Sequence, residues 1–483
     1  MELQWNKKSC PYLQTHIHQV QSQEETMELR LPEELPDIGR VLCAWGQSVI
    51  RGKQWRGDGM TVSGGVSAAV LYQPEDGSAV RCVEGWLPFQ AKWSFPQTRR
   101  EGAMRVSCML RGVDARTISA RKMMLRANVS LLGEALEPAE AEICVPEELP
   151  DGVEVLTNVY PAVIPVEAGE KQFRMEEEIH LPGVSKWVSF TLQPEINEQN
   201  VVGSRVVLRG TGHLHYVCLD EAGEIRTGDQ QIPFAQFVEL DREYDVDATT
   251  DILLCLSALE PELIEDGVRI QGNLTAQYLV KDRVLLEIAE DAYSPERELS
   301  VTTETLKLPM ELDSSVRQLE TACPCREGQP LDMVFLPEQP LQYREGDMIH
   351  LELSGQFCCL YRDAEGNLQS VGEDWNDSLT LPAAENTQIK TYVQSIEPAG
   401  SGVRVGLNVQ VWTDQNIPMV SALTVGEMRP KDAQRPSLLL RRMDADSLWE
   451  LAKASGSTVN AIRKANQLTQ EPVQGQMLLI PVI

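Results

Sequence analysis

A short strand signature occurs three times along this chain, and it constrains the fold more than any other feature. Met27-Glu28-Leu29-Arg30-Leu31-Pro32 returns as Glu178-Ile179-His180-Leu181-Pro182 and again as Thr305-Leu306-Lys307-Leu308-Pro309. In each copy apolar residues alternate with polar ones and a proline follows. That pattern describes a half-buried strand ended by a residue that cannot donate to a ladder. The prolines stand at 32, 182 and 309. Such spacings are far longer than the roughly 20–50 residues of a solenoid repeat and fit whole domains in tandem.

A second element lies inside each copy. Val70-Leu71-Tyr72-Gln73-Pro74-Glu75-Asp76-Gly77 matches Tyr216-Val217-Cys218-Leu219-Asp220-Glu221-Ala222-Gly223 and Cys359-Leu360-Tyr361-Arg362-Asp363-Ala364-Glu365-Gly366. An apolar strand enters an acidic loop whose glycine supplies φ > 0, which predicts a β-hairpin. Gly65, Gly212 and Gly355 precede these loops as bulge or close-approach positions. Trp86-Leu87-Pro88-Phe89 resembles Gln231-Ile232-Pro233-Phe234, and the third copy has degenerated there. Val268–Leu274 and Val403–Val409 alternate in parallel fashion, and helical periodicity is scarce before about residue 430. The expectation is a mainly β chain of three tandem antiparallel β-sandwich-like domains at 1–150, 151–300 and 301–433, with starts near Met27, Glu177 and Glu304.

The character changes over residues 436–483. Ser447-Leu448-Trp449-Glu450 has capping-box spacing, Leu448, Leu451 and Ala452 follow at helical spacing, and Gly456 supplies a stop. Thr458 can cap a second helix carrying Val459 and Ile462. Leu438-Leu439-Leu440 and Met477-Leu478-Leu479-Ile480 read as flanking strands, which gives the order β-α-α-β. Six basic residues against four acidic ones make the stretch from 435 to 483 +2, so the remainder of a chain at −29 carries −31.

Asp446-Ser447-Leu448-Trp449-Glu450-Leu451-Ala452 resembles the opening helix of a LysM domain, whose usual pattern is Gly-Asp-Thr-Leu-Trp-x-Ile-Ala. Thr458–Asn466 is similar to the second LysM helix and Gly475–Pro481 to the closing strand. Ala445 stands where that family has glycine, and Arg442 occupies a commonly apolar strand position. The upstream copies resemble SPOCS domains, the β-rich repeats of sporulation and spore-coat proteins, through Leu35-Pro36-Asp37-Ile38, Val70-Leu71-Tyr72, Leu87-Pro88-Phe89 and Ile232-Pro233-Phe234. Tandem SPOCS repeats followed by one LysM domain resemble a spore-coat morphogenetic architecture. The resemblance implies a noncatalytic assembly protein whose LysM module contacts a coat-assembly ATPase on the mother-cell face of the forespore. It also implies a groove flanked by Asp446, Ser447, Leu448, Asn466, Gln467 and Leu468, with Trp449 either covering the small core or anchoring a partner. The alternative is a LysM that binds peptidoglycan or chitin-type glycan, which the altered Ala445 loop disfavours.

Charge and motifs narrow the remaining classes. A net charge of −29 disfavours coating nucleic acid, which depends on Lys and Arg neutralising phosphates. No secretory h-region follows Met1, and the longest apolar run, 477–483, is far short of the roughly 20 residues of a membrane span. Eleven cysteines without a regular framework point to a reducing cytoplasm. Nucleophile-elbow, zincin, Walker A and kinase motifs are missing, so no catalytic residue and no cofactor are expected. His16/His18 and His213/His215 each share a strand face but lack a spaced third ligand, so no metal is expected. Asp241, Glu243, Asp245 and Asp247 read as a solvated strand face, and Cys323, Cys325, Cys358 and Cys359 as packed thiols, with cross-linking as the alternative.

Overall fold

Alternation of apolar and polar residues extends well beyond the repeat signature, and the computed structural model turns it into very long strands. It describes residues 2–3, 5–146, 149, 151–323, 328–399, 402–429, 436–444 and 447–483. The fold is mainly β, with two short helices after residue 447. Among the described residues no helix is long and apolar enough to cross a membrane.

After the two-residue strand β1 (Glu2–Leu3), one strand arrangement occurs three times. In the first copy β2 (Trp5–Arg30) leads into a meander of β3 (Ile38–Arg56), β4 (Gly59–Pro74) and β5 (Arg81–Ser94), followed by β6 (Ala103–Ser119) and β7 (Lys122–Pro146). The sheet order is β2–β7–β6, facing β3–β4–β5. The second copy comprises β8 (Glu154–His180), β9 (Val184–Asp220), β10 (Ile225–Tyr244), β11 (Thr249–Ile264) and β12 (Gly267–Tyr293), ordered β8–β12–β11 and β9–β10. β9 doubles back near Gly203 (φ +59°), which brings Glu195 to His213 and Asn197 to Thr211. In the third copy β13 (Arg297–Ala322) precedes β14 (Gln329–Pro337), β15 (Leu341–Glu345), β16 (Met348–Arg362), β17 (Leu368–Pro382), β18 (Thr387–Ala399) and β19 (Gly402–Met428). Here β13–β19–β18 form one sheet, and β16 pairs with β14 and β15 on one side and with β17 on the other. Antiparallel sheets with one apolar face bury it against each other. Val62, Val70 and Trp93 meet Leu125 and Leu131 in the first copy, Leu208 and Ile232 meet Ile270 and Leu274 in the second, and Leu351 and Leu353 meet Leu407 and Val409 in the third.

In every copy the first and last strands outrun the third. β6 pairs with β7 only to Leu136, β11 with β12 only to Lys281, and β18 with β19 only to Thr413. Beyond those points each copy continues as a two-stranded ribbon: 5–14 with 137–146, 154–164 with 282–293, and 297–309 with 414–428. Register shifts at Thr15/Ile17, Val280/Lys281 and Glu311/Asp313 mark the departures. An isolated two-stranded ribbon is marginal in water. These three pack on one another through Ile143, Ile164, Ile288, Leu308 and Met419, forming a shared stem.

The strand signature therefore needs correction. Met27 and Glu177 lie near the ends of first strands that begin at Trp5 and Glu154, so they do not start domains. Leu31-Pro32 and Leu181-Pro182 do follow strand ends, but Pro309 sits inside β13 opposite Asp414, and that strand runs on to Ala322. The third match is a local likeness at a different place in its copy. The three hairpins form where the loops predict them. Gly77, Gly223 and Gly366 have φ of +73°, +81° and +85°, and Asp220 and Asp363 each accept two backbone N–H bonds within their loops. Close approach rather than a bulge explains the strand glycines. A Cβ on Gly65 would stand 2.2 Å from the Trp86 ring, one on Gly212 2.6 Å from the Met175 methyl, and one on Gly355 2.8 Å from the Phe335 ring. In the degenerate third copy the covering aromatic thus comes from β14 instead of the strand after the hairpin.

Candidate functional site

The unit read as β-α-α-β consists of β20 (Leu438–Arg442), α1 (Leu448–Ser455), α2 (Val459–Asn466) and β21 (Met477–Pro481), with β20 and β21 paired antiparallel. Local chemistry sets its boundaries. The Ser447 hydroxyl accepts from Glu450 N–H at 3.2 Å and Thr458 from Ala461 N–H at 3.1 Å. Gly456 at φ +62° closes α1. Gln467 at φ +53° closes α2, a backbone position that favours glycine. Leu448, Leu451, Ala452, Ile462, Leu478 and Ile480 form the core.

Asp446 and Ala445 lie outside the described residues. The other six residues expected at the groove are placed as follows. Ser447 is the cap and Leu448 is buried in the core. Asn466 bridges α2 to the last strand, accepting from Leu479 N–H at 2.8 Å and donating to Leu479 C=O at 2.6 Å and Ile462 C=O at 2.9 Å. Gln467 forms the left-handed cap, and Leu468 packs half-buried on the core. These five hold the unit together.

Trp449 faces the second copy's ribbon. Its indole N–H donates to Asp291 Oδ2 at 2.8 Å, and its ring meets Tyr293 edge-on at 4.7 Å. Lys453 Nζ reaches the same carboxylate at 2.7 Å, and the Tyr293 hydroxyl donates to Ser457 C=O at 3.0 Å. Partial burial pushes the Asp291 carboxyl up, but hydrogen bonds from Lys453 and Trp449 outweigh it and hold it below the usual range. Sequence reasoning missed Asp291 and Tyr293 because neither belongs to a motif. Asp291→Ala should weaken this seat by about 1–3 kcal/mol, the usual cost of removing a charged hydrogen-bond partner. Hydrogen exchange should show faster α1 amides with β4 unchanged, whereas unchanged α1 protection would discard the seat.

The other candidates resolve into structural pairs. His16 Nε2 lies 2.7 Å from Glu137, part-buried His18 faces Glu134 at 3.7 Å, and His213 meets Glu195 at 2.9 Å. Among the described residues no group of three His, Cys, Asp or Glu side chains is gathered for a metal. Asp241, Glu243, Asp245 and Asp247 are all exposed, but only Asp241 and Glu243 share a strand face on β10, and Asp245 and Asp247 fall in the turn that follows it. The packed-thiol reading fails at Cys359, which is disulfide-bonded, with the Cys323 sulfur 3.7 Å away. Cys358, on the opposite strand face, points toward Gln356, and Cys325 lies outside the described residues.

Charged groups concentrate where the three copies meet. Glu134 pairs with Arg105 at 2.8 Å and with Lys390 of the third copy at 2.9 Å. Nearby, Lys281 pairs with Asp251 at 3.1 Å and with Glu311 at 2.5 Å, while Gln410 donates to Asp251 at 2.8 Å. A cleft of about 180 Å³ opens beside them, lined by apolar residues such as Leu192, Ile252 and Phe335 together with neutral polar ones such as Gln47, Gln199 and Gln394. Its two thiols stay protonated, since burial pushes Cys108 up to about 12 and Cys255 up to about 11. Comparisons with protein families, with curated proteins and with solved structures give no match to this chain.

Proposed function

We propose that this chain is a noncatalytic assembly protein of the spore envelope, an acidic β scaffold that carries a LysM-like docking unit. The reading rests on the ordered blocks Asp446–Ala452, Thr458–Asn466 and Gly475–Pro481 behind three β-rich copies. The charge division supports it, because a stretch 435–483 at +2 beside a remainder at −31 favours encounter between that end and an acidic partner. The partner proposed is a coat-assembly ATPase-type protein, met on the mother-cell side of the forespore in the cytoplasm.

Peptidoglycan or chitin binding is the rival. Against it stand the polar groups of Asn466, already engaged with Ile462 and Leu479. A glycan would have to displace those bonds or do without them. A fluorescent fusion of the full chain should gather at the forespore in sporulating cells and disperse when 436–483 is removed. Even distribution, or localisation indifferent to that removal, would sink the assembly reading. Sedimentation with chitin or peptidoglycan that depends on 436–483 would transfer the proposal to glycan.

A further inference from the structure

We infer that the outer face of the β20–β21 sheet is a docking surface for an extended acidic peptide segment with apolar side chains at alternate positions. Strand alternation divides this small sheet cleanly. Leu439, Leu478 and Ile480 turn toward the helices, whereas Leu438, Leu440, Met477 and Leu479 turn outward and stay 51%, 64%, 54% and 39% exposed. Leu440 lies opposite Leu479 and Arg442 opposite Met477, so the four apolar side chains form one patch. It is separate from the seat of Trp449. Contiguous exposed apolar side chains on a small unit mark an interaction surface, unlike apolar residues scattered singly.

Two features define the occupant. Arg442 is exposed on the outer face opposite Met477, while Arg441, opposite Leu478, falls on the other face, and the stretch 435–483 is +2 overall. β20 pairs only with β21 among the described residues, leaving its outer edge N–H and C=O groups for an added strand, whereas Asn466 already occupies the edge of β21 at Leu479. An incoming segment can hydrogen-bond along the β20 edge while alternate apolar side chains extend the patch and a carboxylate meets Arg442.

Size and charge argue against larger occupants. Two five-residue strands span about 17 Å by about 10 Å, a small fraction of the roughly 800 Å² per partner of a standard interface. Face-to-face pairing of two copies would also oppose like arginines. An anionic membrane is repelled by a chain at −29.

This inference rests on the proposed function only in using the same unit as the docking element. The test pans the full-length chain against a displayed library of random dodecapeptides. Enriched sequences should carry Leu, Ile, Val or Phe at i and i+2 with Asp or Glu among them. A synthetic peptide of that consensus should bind the full chain in fluorescence anisotropy and lose about tenfold or more in affinity to a Leu440→Ser/Leu479→Ser variant. Both substitutions fall on exposed positions, and circular dichroism checks the fold. Absence of enrichment, a basic consensus, or equal affinity for the variant overturns the inference. So does binding to phosphatidylcholine–phosphatidylglycerol vesicles, or self-association by sedimentation equilibrium, that the same variant abolishes while peptide binding is absent. Forespore recruitment that needs 436–483 but survives in the variant, together with unchanged peptide affinity, rejects this face and leaves the assembly reading standing. Recruitment indifferent to 436–483 rejects the assembly reading, while the peptide measurement still judges the face.

Discussion

Glu134→Gln is expected to destabilise the three-copy body by about 3–5 kcal/mol, the range for breaking a buried ion pair from one side. Glu134 is 2% exposed and stands between Arg105 of its own copy and Lys390 of the third. Glutamine preserves the volume and removes the charge, so two cations remain buried without their counter-ion. The loss should exceed the worth of the pairs themselves. Replacing the trio by Arg105→Met, Glu134→Leu and Lys390→Met should therefore recover much of the stability lost in the single variant. Urea midpoints with an unchanged slope provide the measurement. Burial pushes the Glu134 carboxyl up, but the charges of Lys390 and Arg105 and the neighbouring His18 outweigh burial and hold it well below 4.5. A depressed carboxyl contributes fully above its unfolded value near 4.5 and loses that contribution as pH falls through its folded value. Wild-type stability should accordingly drop in acid more steeply than that of Glu134→Gln. A single variant within about 1 kcal/mol of wild type would show that the cations are solvated when Glu134 is absent.

What was legible in the sequence follows from how far each interaction reaches along the chain. The hairpin loops at Gly77, Gly223 and Gly366 and the caps at Ser447 and Thr458 are built from neighbours, so residue type and spacing announce them. The ribbons were hidden because Pro11, Pro138, Pro161 and Pro165 interrupt the alternation inside β2, β7 and β8. A proline argues against a central strand, yet both strands of a ribbon are edges and tolerate one. The signature consequently reads as the opening of a domain, whereas its first two copies close the first strands of theirs. Glu134 and Lys390 are 256 residues apart, and Trp449 and Asp291 are 158 apart. Read singly, each charged residue is what a solvated surface also contains. No local pattern separates a lysine on the surface from one that meets its carboxylate only after three copies have packed. The tail unit's groove shows the same limit: its capping chemistry was readable, whereas the ribbon that occupies Trp449 was not.

Raising the pH through about 9 is expected to weaken the contact among the three copies, because one histidine bridges them in its charged form. His215 on β9 places Nδ1 2.9 Å from Asp229 and Nε2 2.9 Å from Asp332 of the third copy. Asp332 also accepts from the indole of Trp45 in the first copy at 2.8 Å. Burial pushes the imidazole down, but the two carboxylates outweigh it and raise it to about 9. A raised histidine contributes its full stability below the unfolded value near 6.5 and loses it as pH rises through the folded value. The change across that window should be on the order of 3 kcal/mol. The depressed carboxyl of Asp229 expresses the same interaction and adds nothing further. Buried thiols add their own loss mainly above their unfolded value near 9, since Cys82 and Cys218 are pushed up to about 12 and Cys358 up to about 11. The slope between about 6.5 and 9 is therefore chiefly the histidine's. His215→Gln keeps a hydrogen-bonding side chain that cannot charge. Its urea midpoint should be lower than wild type near pH 6 and nearly level from there to pH about 9, so that the two proteins converge in alkali. A slope that persists undiminished in His215→Gln would assign the alkaline loss to another group and leave the histidine bridge without a measurable share in holding the copies together.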